Sequence, residues 1–493
     1  MNKNRHLSLI VGIAVLFSIT TAHGQATIGT DTADQVGSSL SLQEAVAIAI
    51  KHNLLVNQAD ISAQNGRINL NQAWDYMLPT ISASGNEGIG FGRSAVTSSY
   101  SYTTEQTTFG NYNANANLNL FSGFQVQNGI KQYRLAYNAS KLDLEQQKNS
   151  ITLSVLLAYL QILSNHDQLA IAIEQAHVDS AQLGRLDTLN EAGALLLLSN
   201  LTDLRGQYAG DLANIAIVRN NLEASKVNLF NLLNVPYRRD VEFDRNAFTL
   251  DISEYSEGSD SIYARSLQTM PSIRAAELRV QSYQKALSAA RGAYYPSISF
   301  FANASTNYSS SAPGVLQSST PAFDTTGNFV NVGGSNYNVI APFDKQNFRA
   351  ASWSEQVKAN KAYSIGLQLN IPILNYLQTR NRVKQAKLNL KNQQLVNNNT
   401  HLVLQQNVEA AYQNMISAYK QYKAYMDQAA AYAESFRTTQ IRFNEGVVNS
   451  DVYILSKNNT DRANVSLAAA RYTYIFRTKV LDYYQGKLNV QQP

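Results

Sequence analysis

Residues that commonly perform catalysis or bind metals are few in this sequence and widely spaced. The six histidines, at positions 6, 23, 52, 166, 177 and 401, show no metal-ligand spacing, and the chain has no cysteine to complete a site. Neither a Gly-x-Ser-x-Gly nucleophile turn nor a Walker-type phosphate loop is present. Gly88, Gly90 and Gly92 resemble a phosphate loop only loosely, because no strand–helix pattern surrounds them. The sequence therefore predicts a protein that is not an enzyme and uses no cofactor or metal.

The charged residue with the most suggestive position is Asp451, which follows a predicted turn between two helices. Gly446 can adopt the left-handed conformation that ends a helix. Asn449 and Ser450 are of the types that cap a helix start, and an acid in the first turn complements the helix dipole. The sequence thus predicts a helical hairpin with its tip near 446–450.

The first arm of this hairpin is a long run without glycine or proline, from Ile373 to Glu445. Its apolar residues recur at alternating steps of four and three, which keeps one seam of a helix facing a partner helix. The seam comprises Val408, Tyr412, Met415, Tyr419, Tyr422, Met426, Ala429, Ala433 and Phe436. A helix over Tyr376–Ile441 would be about 100 Å long, which suits a strut or tube rather than a compact core.

Composition and the N-terminus indicate an export route. Only 15% of residues are charged, against about 25% in average proteins. Lys3, Arg5 and the apolar stretch Leu7–Ile19 predict a signal peptide over 1–24, followed by a flexible lead-in over 25–40. Removing those two basic residues lowers the net charge from +5 to +3, too little to predict nucleic-acid binding. No later apolar run is long enough for a membrane helix, so the protein either stays soluble beyond the inner membrane or crosses a membrane as strands.

Four strands are predicted from alternating polar and apolar residues, at about 80–86, 111–120, 297–308 and 364–371. Gly85–Tyr102 and Ser309–Ala362 are expected to be loops. The second strand is the clearest, since asparagines fill one face and apolar residues the other. A polar, uncharged face suits a water-filled lumen, although an ordinary soluble sheet remains an alternative. The residues predicted to face a lumen are Asn113, Asn115, Asn117, Gln368 and Asn370.

The order helix, strand, strand, long helix, turn, helix occurs twice. Leu78-Pro79-Thr80-Ile81-Ser82 matches Tyr295-Pro296-Ser297-Ile298-Ser299, and Gly193 matches Gly446. We expect a first repeat over 41–235 with its tip near 190–198, a linker over 236–261, a second repeat over 262–486 and a tail over 487–493. These elements predict a mixed α and β fold with two internal structural repeats, which is a membrane protein if the strands span a bilayer.

This doubled pattern, the two strand starts and the tip Phe443-Asn444-Glu445-Gly446…Ser450-Asp451-Val452 together resemble the TolC-like outer membrane efflux channels. The resemblance extends from about Leu40 to Gly486. It implies a homotrimer in which long coiled-coil hairpins form a periplasmic helical barrel. Each chain would add four strands to a 12-stranded barrel in outer-membrane lipid. Physics alone requires oligomerisation, because four strands cannot close a membrane barrel, but leaves two, three or four chains open.

The resemblance also implies partners and sites. A periplasmic adaptor (membrane fusion protein) and an inner-membrane pump would complete the export route. The predicted adaptor-docking residues are Gly193, Leu195, Gly446, Val447, Asn449 and Ser450. Asp451 matches a position where acids narrow such tunnels, so in three copies it is a candidate periplasmic gate. The alternative for Asp451 is an outward-facing charge at a helix start. At the first tip the Leu run replaces the usual polar residues, and either adaptor contact or helix packing would explain it.

The leading functional prediction is an outer-membrane export duct of a tripartite efflux or type I secretion system. A secreted structural coiled-coil protein is the alternative, and a passive uptake porin is a third possibility. A structural rod does not need paired strands at matched positions, and a porin does not need helices of about 100 Å. Drugs, metals, polypeptides and polysaccharides all remain open as cargo.

Overall fold

A computed structural model describes residues 37–96, 101–192, 198–244, 252–312 and 314–488. The signal peptide predicted over 1–24 lies outside these residues. The fold mixes long helices with strands, most of which pair in antiparallel fashion. The strands are β1 (Ser39–Leu40), β2 (Thr80–Val96), β3 (Ser101–Ser122), β4 (Glu242–Phe243), β5 (Ser297–Ser309), β6 (Val315–Val332), β7 (Ser335–Arg349) and β8 (Ala362–Asn370). The helices are α1 (Leu42–His52), α2 (Leu54–Asp75), α3 (Gln125–Glu191), α4 (Leu198–Leu233), α5 (Ser259–Thr269), α6 (Pro271–Gly292), α7 (Trp353–Ala359), α8 (Gln378–Asn444) and α9 (Ser450–Tyr484).

The internal repeat is visible in the helix bounds. The pair α1 and α2 recurs as α5 and α6, with starts moved from Leu42 to Ser259, a spacing of 217. The long helices α3 and α8 each have 67 residues, and their starts, Gln125 and Gln378, are 253 apart. At 1.5 Å per residue each helix is about 100 Å long. The increase in spacing from 217 to 253 means that the second half has extra residues. Because the helices keep their lengths, these extra residues lie between the strands of the second half.

The predicted order has one helix before the strands of each repeat, but the structure has two there. Ser41 and Glu44 form a reciprocal capping box at the start of α1. Asn53 then interrupts the helix, and its side chain accepts hydrogen bonds from the backbone of Leu55 and Val56 to begin α2. In the second repeat, Pro271 occupies the first turn of α6. Proline is tolerated there because its missing N–H would be unpaired in any case.

Among the described residues, three apolar cores hold the helices together. The largest lies among α1, α3, α4 and α9 and includes the fully buried Tyr159. Tyr159 donates its hydroxyl toward the carbonyl oxygens of Leu40 and Asp244, at 2.9 Å each, beside the short parallel pair β1 and β4. The lead-in predicted as flexible to residue 40 therefore ends in an ordered strand, and the predicted linker contains its partner.

The second core joins α8 to α5, α6 and α9. It buries the predicted seam residues Val408 and Met415, together with Leu404, Tyr474 and Leu481. The third and smallest core lies at the hairpin tips. The predicted seam is thus a real packing surface, but it contacts short helices as well as its hairpin partner.

The main sheet has four antiparallel strands in the order β2-β3-β5-β8. Two predicted loops are wrong. Gly85–Tyr102 belongs largely to β2 and β3, because Gly85 and Gly88 leave room for the rings of Tyr112 and Phe109 across the sheet. Much of Ser309–Ala362 forms the separate antiparallel hairpin of β6 and β7, followed by α7.

No helix within the described part of the chain combines the length and apolar character needed to cross a bilayer.

Candidate functional site: the hairpin tips and the four-stranded sheet

The second hairpin tip is a specific helix-ending turn. Gly446 has φ +71°. Its N–H donates to the carbonyl of Phe443 at 3.1 Å, and the N–H of Val447 donates to that of Arg442 at 2.8 Å. This pairing is the Schellman motif, which satisfies the last carbonyls of a helix. Asn449 then caps α9 by accepting from the N–H of Val452 at 3.3 Å.

Most of the residues predicted to dock a partner at this tip are accessible, but one is not. Gly446, Val447 and Asn449 are exposed. Ser450 is only 2% exposed. Its hydroxyl donates to Asp203 Oδ2 at 2.9 Å and its backbone N–H donates to Asn200 Oδ1 at 3.2 Å. In this chain Ser450 therefore joins α9 to α4 instead of presenting its side chain outward.

Asp451 lies at the exposed surface in the first turn of α9. Its carboxylate is 3.3 Å from the side-chain amide of Asn449. Both the pore-lining and the outward-facing interpretations require an accessible carboxylate here. The two differ in whether this carboxylate faces the inside or the outside of the assembled copies.

The first tip is described up to Ala192 and again from Leu198. The predicted docking residues Gly193 and Leu195 fall outside the described residues.

Polar contacts between the two hairpins were missed by the sequence reasoning. The guanidinium of Arg185 donates to both the side-chain and the backbone oxygen of Asn444, linking α3 to the end of α8. Gln207 on α4 and Asn458 on α9 pair through their amides at 3.1 Å. These residues belong to no motif. One sequence feature could have pointed to a contact here. Asn200 and Asp203, which bond to Ser450, are three residues apart and therefore share a helix face.

A second feature missed by the sequence reasoning is a buried charge cluster just beyond the tip. Lys457 Nζ lies 2.6 Å from Asp461 Oδ2, 3.1 Å from Asp179 Oδ2 and 3.6 Å from Asp211 Oδ2. Burial raises the pKa of Asp179 to about 7, and the neighbouring carboxyl group of Asp211 adds to the effect. Burial opposes the charge of Lys457, yet the bond to Asp461 keeps its pKa above the ordinary value. The sequence feature that could have pointed to this cluster is the spacing of four between Lys457 and Asp461, which allows an ion pair on one helix face.

The tip core lies between this cluster and the turn. The ring of Tyr453 stacks on Phe443 with centroids 4.7 Å apart and contacts Phe436 at 5.4 Å. Leu186 of α3 and Leu204 of α4 complete the core. The two hairpins therefore share one apolar contact at their inner ends.

In the sheet, the register brings the predicted lumen residues to one face. Asn115 lies between Ser82 and Asn303 across the neighbouring strands. Gln368 pairs with Ser299, and Asn370 pairs with Ser297. Since directly paired residues share a face and side chains alternate along a strand, Asn113, Asn115, Asn117, Gln368 and Asn370 all lie on the same face.

The opposite face of the sheet is apolar and uncovered. Ile81, Ala116, Ala302 and Ile365 form one row across the four strands. The side chains at its two ends, Ile81 and Ile365, are 78% and 76% exposed. Each of the outer strands β2 and β8 pairs on one side only within the described residues. The sheet thus has two open edges and an exposed apolar face.

A family model described as "Outer membrane efflux protein" matches residues 16–235 and 262–475, which is most of the chain. No curated protein matches the sequence significantly.

Several solved structures share the fold of this chain at low sequence identity to it. A membrane protein from Pseudomonas aeruginosa has a TM-score of 0.70 at 15% identity, covering 90% of each chain. The Campylobacter jejuni CmeC outer membrane channel has a TM-score of 0.69 at 15% identity, covering 92% of this chain and 87% of its own. The open state of the Neisseria gonorrhoeae MtrE outer membrane channel has a TM-score of 0.64 at 18% identity, covering 92% and 90%.

Proposed function

This chain belongs to the outer membrane efflux protein family, and from that premise we propose that three copies form a closed export duct through the outer membrane. The wall of the duct would combine the strands of the sheet with the long helices below it. The duct would perform no chemistry of its own.

The observation that carries the proposal is the four-stranded sheet with an exposed apolar face and two open edges. An open edge is not tolerated in lipid, because its backbone N–H and C=O groups would have no partners. Alternation along the order β2-β3-β5-β8 makes β8 antiparallel to β2 of the next copy. The sheets of neighbouring copies can therefore join edge to edge into a closed barrel in which every strand pair remains antiparallel. Two chains would give 8 strands and four would give 16; the family resemblance favours three, with 12 strands.

The polar face would then line the lumen. Asn113, Asn115 and Asn117 offer hydrogen-bonding groups without charge, which suits passage of varied cargo through water. The apolar row that includes Ala116 and Ile365 would face lipid. This division matches the alternation expected of a membrane barrel.

The long helices would extend the duct across the periplasm. Helices of about 100 Å bring the tips of α3 and α8 far from the sheet. We place the docking surface for a periplasmic adaptor at the exposed tip residues Gly446, Val447 and Asn449, with Gly193 and Leu195 at the first tip. An inner-membrane pump would supply the cargo through that adaptor. A secreted structural coiled-coil protein is not favoured, because it would leave the apolar sheet face without a partner.

Cysteine cross-linking tests the closure, since the chain has no cysteine of its own. Cysteines placed at Ser82 on β2 and scanned along β8 should link neighbouring copies and yield a trimer ladder from detergent-extracted outer membranes. The matched control places cysteines at Asn115 and Asn303, which pair within one chain and should yield monomers only. Recovery in the soluble periplasm, or monomers from every β2–β8 pair, would refute the duct.

A further inference from the structure

The inner third of the helical region contains a buried cluster with more negative than positive groups. Lys457 and Asp461 come from α9, Asp179 from α3 and Asp211 from α4. The side chains of Lys457 and Asp179 are 2% and 0% exposed. If every group were ionised, three carboxylates would face one ammonium. A net negative charge in so dry a site is costly.

Hydrogen bonding within the cluster is incomplete in a way that a proton would correct. Asp179 Oδ1 is buried and has no hydrogen-bond partner among the described residues. An ionised carboxylate can only accept hydrogen bonds, whereas a protonated one can also donate. Asp211 lies next to Asp179 and itself has a buried oxygen, Oδ2, without such a partner. One proton on Asp179, donated to Asp211, would supply the missing donor.

Other ionisable groups near the cluster do not cancel its charge. Tyr453 of α9 faces it with a fully buried hydroxyl, and burial raises the pKa of that phenol. A groove of about 920 Å³ borders Lys457 and Asp461 and connects the cluster to solvent. The other ionisable side chains that line this groove are Asp167 and Glu174 of α3, Tyr422 of α8 and Arg471 of α9. The groove therefore adds further acid and gives protons a route in.

We propose that this cluster is a proton-binding site, in which a proton on Asp179, donated to Asp211, stabilises the packing of α9 against α3 and α4. With the proton bound, Lys457 pairs with Asp461 and the site carries a single negative charge. Without it, the site carries two negative charges at the junction of three helices. The inference uses contacts within one chain and does not depend on the assembly of the duct.

The direction of the pH effect follows from the raised pKa of Asp179, about 7 against an ordinary value near 3.9. The folded site binds the proton more tightly than the unfolded chain does. The stabilisation is therefore fully present below about pH 4 and is lost as pH rises toward about 7. Local opening of α9 should become more frequent over that range, by up to about tenfold per pH unit for one linked proton.

Infrared difference spectroscopy on the purified full-length protein tests the site directly. Between about pH 5 and about pH 9 the wild type should lose a protonated-carboxyl band, with a midpoint near the pKa of about 7. Asp179→Asn should lack this band, and Asp427→Asn, which removes an exposed acid on α8, should retain it. Absence of the band from the wild type, or its persistence in Asp179→Asn, would overturn the proposal.

Hydrogen exchange supplies a readout of the packing. After correction for intrinsic rates, amides over 453–461 should exchange faster as pH rises in the wild type, and without that pH dependence in Asp179→Asn. If Asp179→Asn fails to fold, Asp211→Asn serves instead, because removing the neighbouring acid should move the infrared midpoint to lower pH. An unchanged midpoint in Asp211→Asn, or equal exchange slopes in wild type and Asp179→Asn, would contradict the coupling.

Discussion

At the scale of single residues, the turn chemistry of the second tip follows from its sequence, while the exposure of each residue does not. A glycine followed by Asn449 and Ser450 specifies a helix end and a helix start, and both occur at those residues. Ser450 is buried where its backbone and side chain bond to Asn200 and Asp203 of α4. That contact depends on where another hairpin lies, which no local motif encodes.

Replacing Gly446 with Val should weaken adaptor docking through the backbone alone. Gly446 has φ +71°, and apart from Gly446 and its chain neighbours no heavy atom of the described residues lies within 4 Å of where a Cβ would be. The cost is therefore conformational, about 1–2 kcal/mol for a residue with a side chain. Asparagine tolerates this conformation better, so Gly446→Asn is the matched control. Binding of the adaptor to purified variants should fall for Val and largely persist for Asn. Equal affinities would show that docking does not require this turn.

Asp451 should govern ion passage if it lines the inner end of the duct. Like charges held close in three copies attract cations and repel one another, so the isolated channel should conduct poorly, prefer cations and be blocked by multivalent cations. Asp451→Asn keeps the size and removes the charge, and it should weaken that block without changing trimer stability. Single-channel recordings of Asp451→Asn and of the control Asp427→Asn provide the comparison. If conductance, selectivity and block all stay unchanged, Asp451 lies on the outer surface.

At the scale of elements, the sequence predicts long helices well and glycine-containing strands poorly. Absence of glycine and proline locates α8, because nothing interrupts the helical backbone hydrogen bonds. The same rule fails for β2, where Gly88 is retained to make room for the ring of Phe109 on the neighbouring strand. A glycine that permits packing and a glycine that permits a turn look alike until the strand partner is known.

The two faces of the sheet should respond differently to the same substitution. Arg at Ala116, in the middle of the apolar face, should cost about 2–4 kcal/mol if that face meets lipid. Arg at the adjacent Asn115 would point into water and should mainly change ion selectivity. The yield of assembled, heat-resistant protein in outer membranes measures the first effect, and single-channel selectivity measures the second. Equal loss of assembled protein from both variants would contradict the assignment of faces.

At the scale of the whole molecule, the doubled order of elements could be predicted, but the way the halves join could not. The repeat preserves helix lengths, since α3 and α8 both have 67 residues. The contacts between the hairpins instead use residues that the repeat does not match, such as Arg185 with Asn444 and Lys457 with Asp179. Asymmetric contacts of this kind arise because each half packs against the other rather than against a copy of itself.

The β6–β7 hairpin should lie outside the cell. It leaves the end of the sheet opposite the long helices, and α7 fastens its base through the hydrogen bond from Gln356 to the carbonyl of Ser309, at 2.9 Å. Gly333 and Gly334 form its turn, with φ of +64° and +92°, and exposed turns of this type tolerate insertion. If the helices lie in the periplasm, the turn must be on the other side of the membrane.

An epitope tag inserted between Gly333 and Gly334 should therefore be reached by antibody on intact cells, whereas a tag at the C-terminus should be reached only after permeabilisation. Outer-membrane fractionation of both tagged proteins checks that each is assembled. A stable Gly333 tag that becomes accessible only after permeabilisation would reverse the topology and, with it, the direction of the duct.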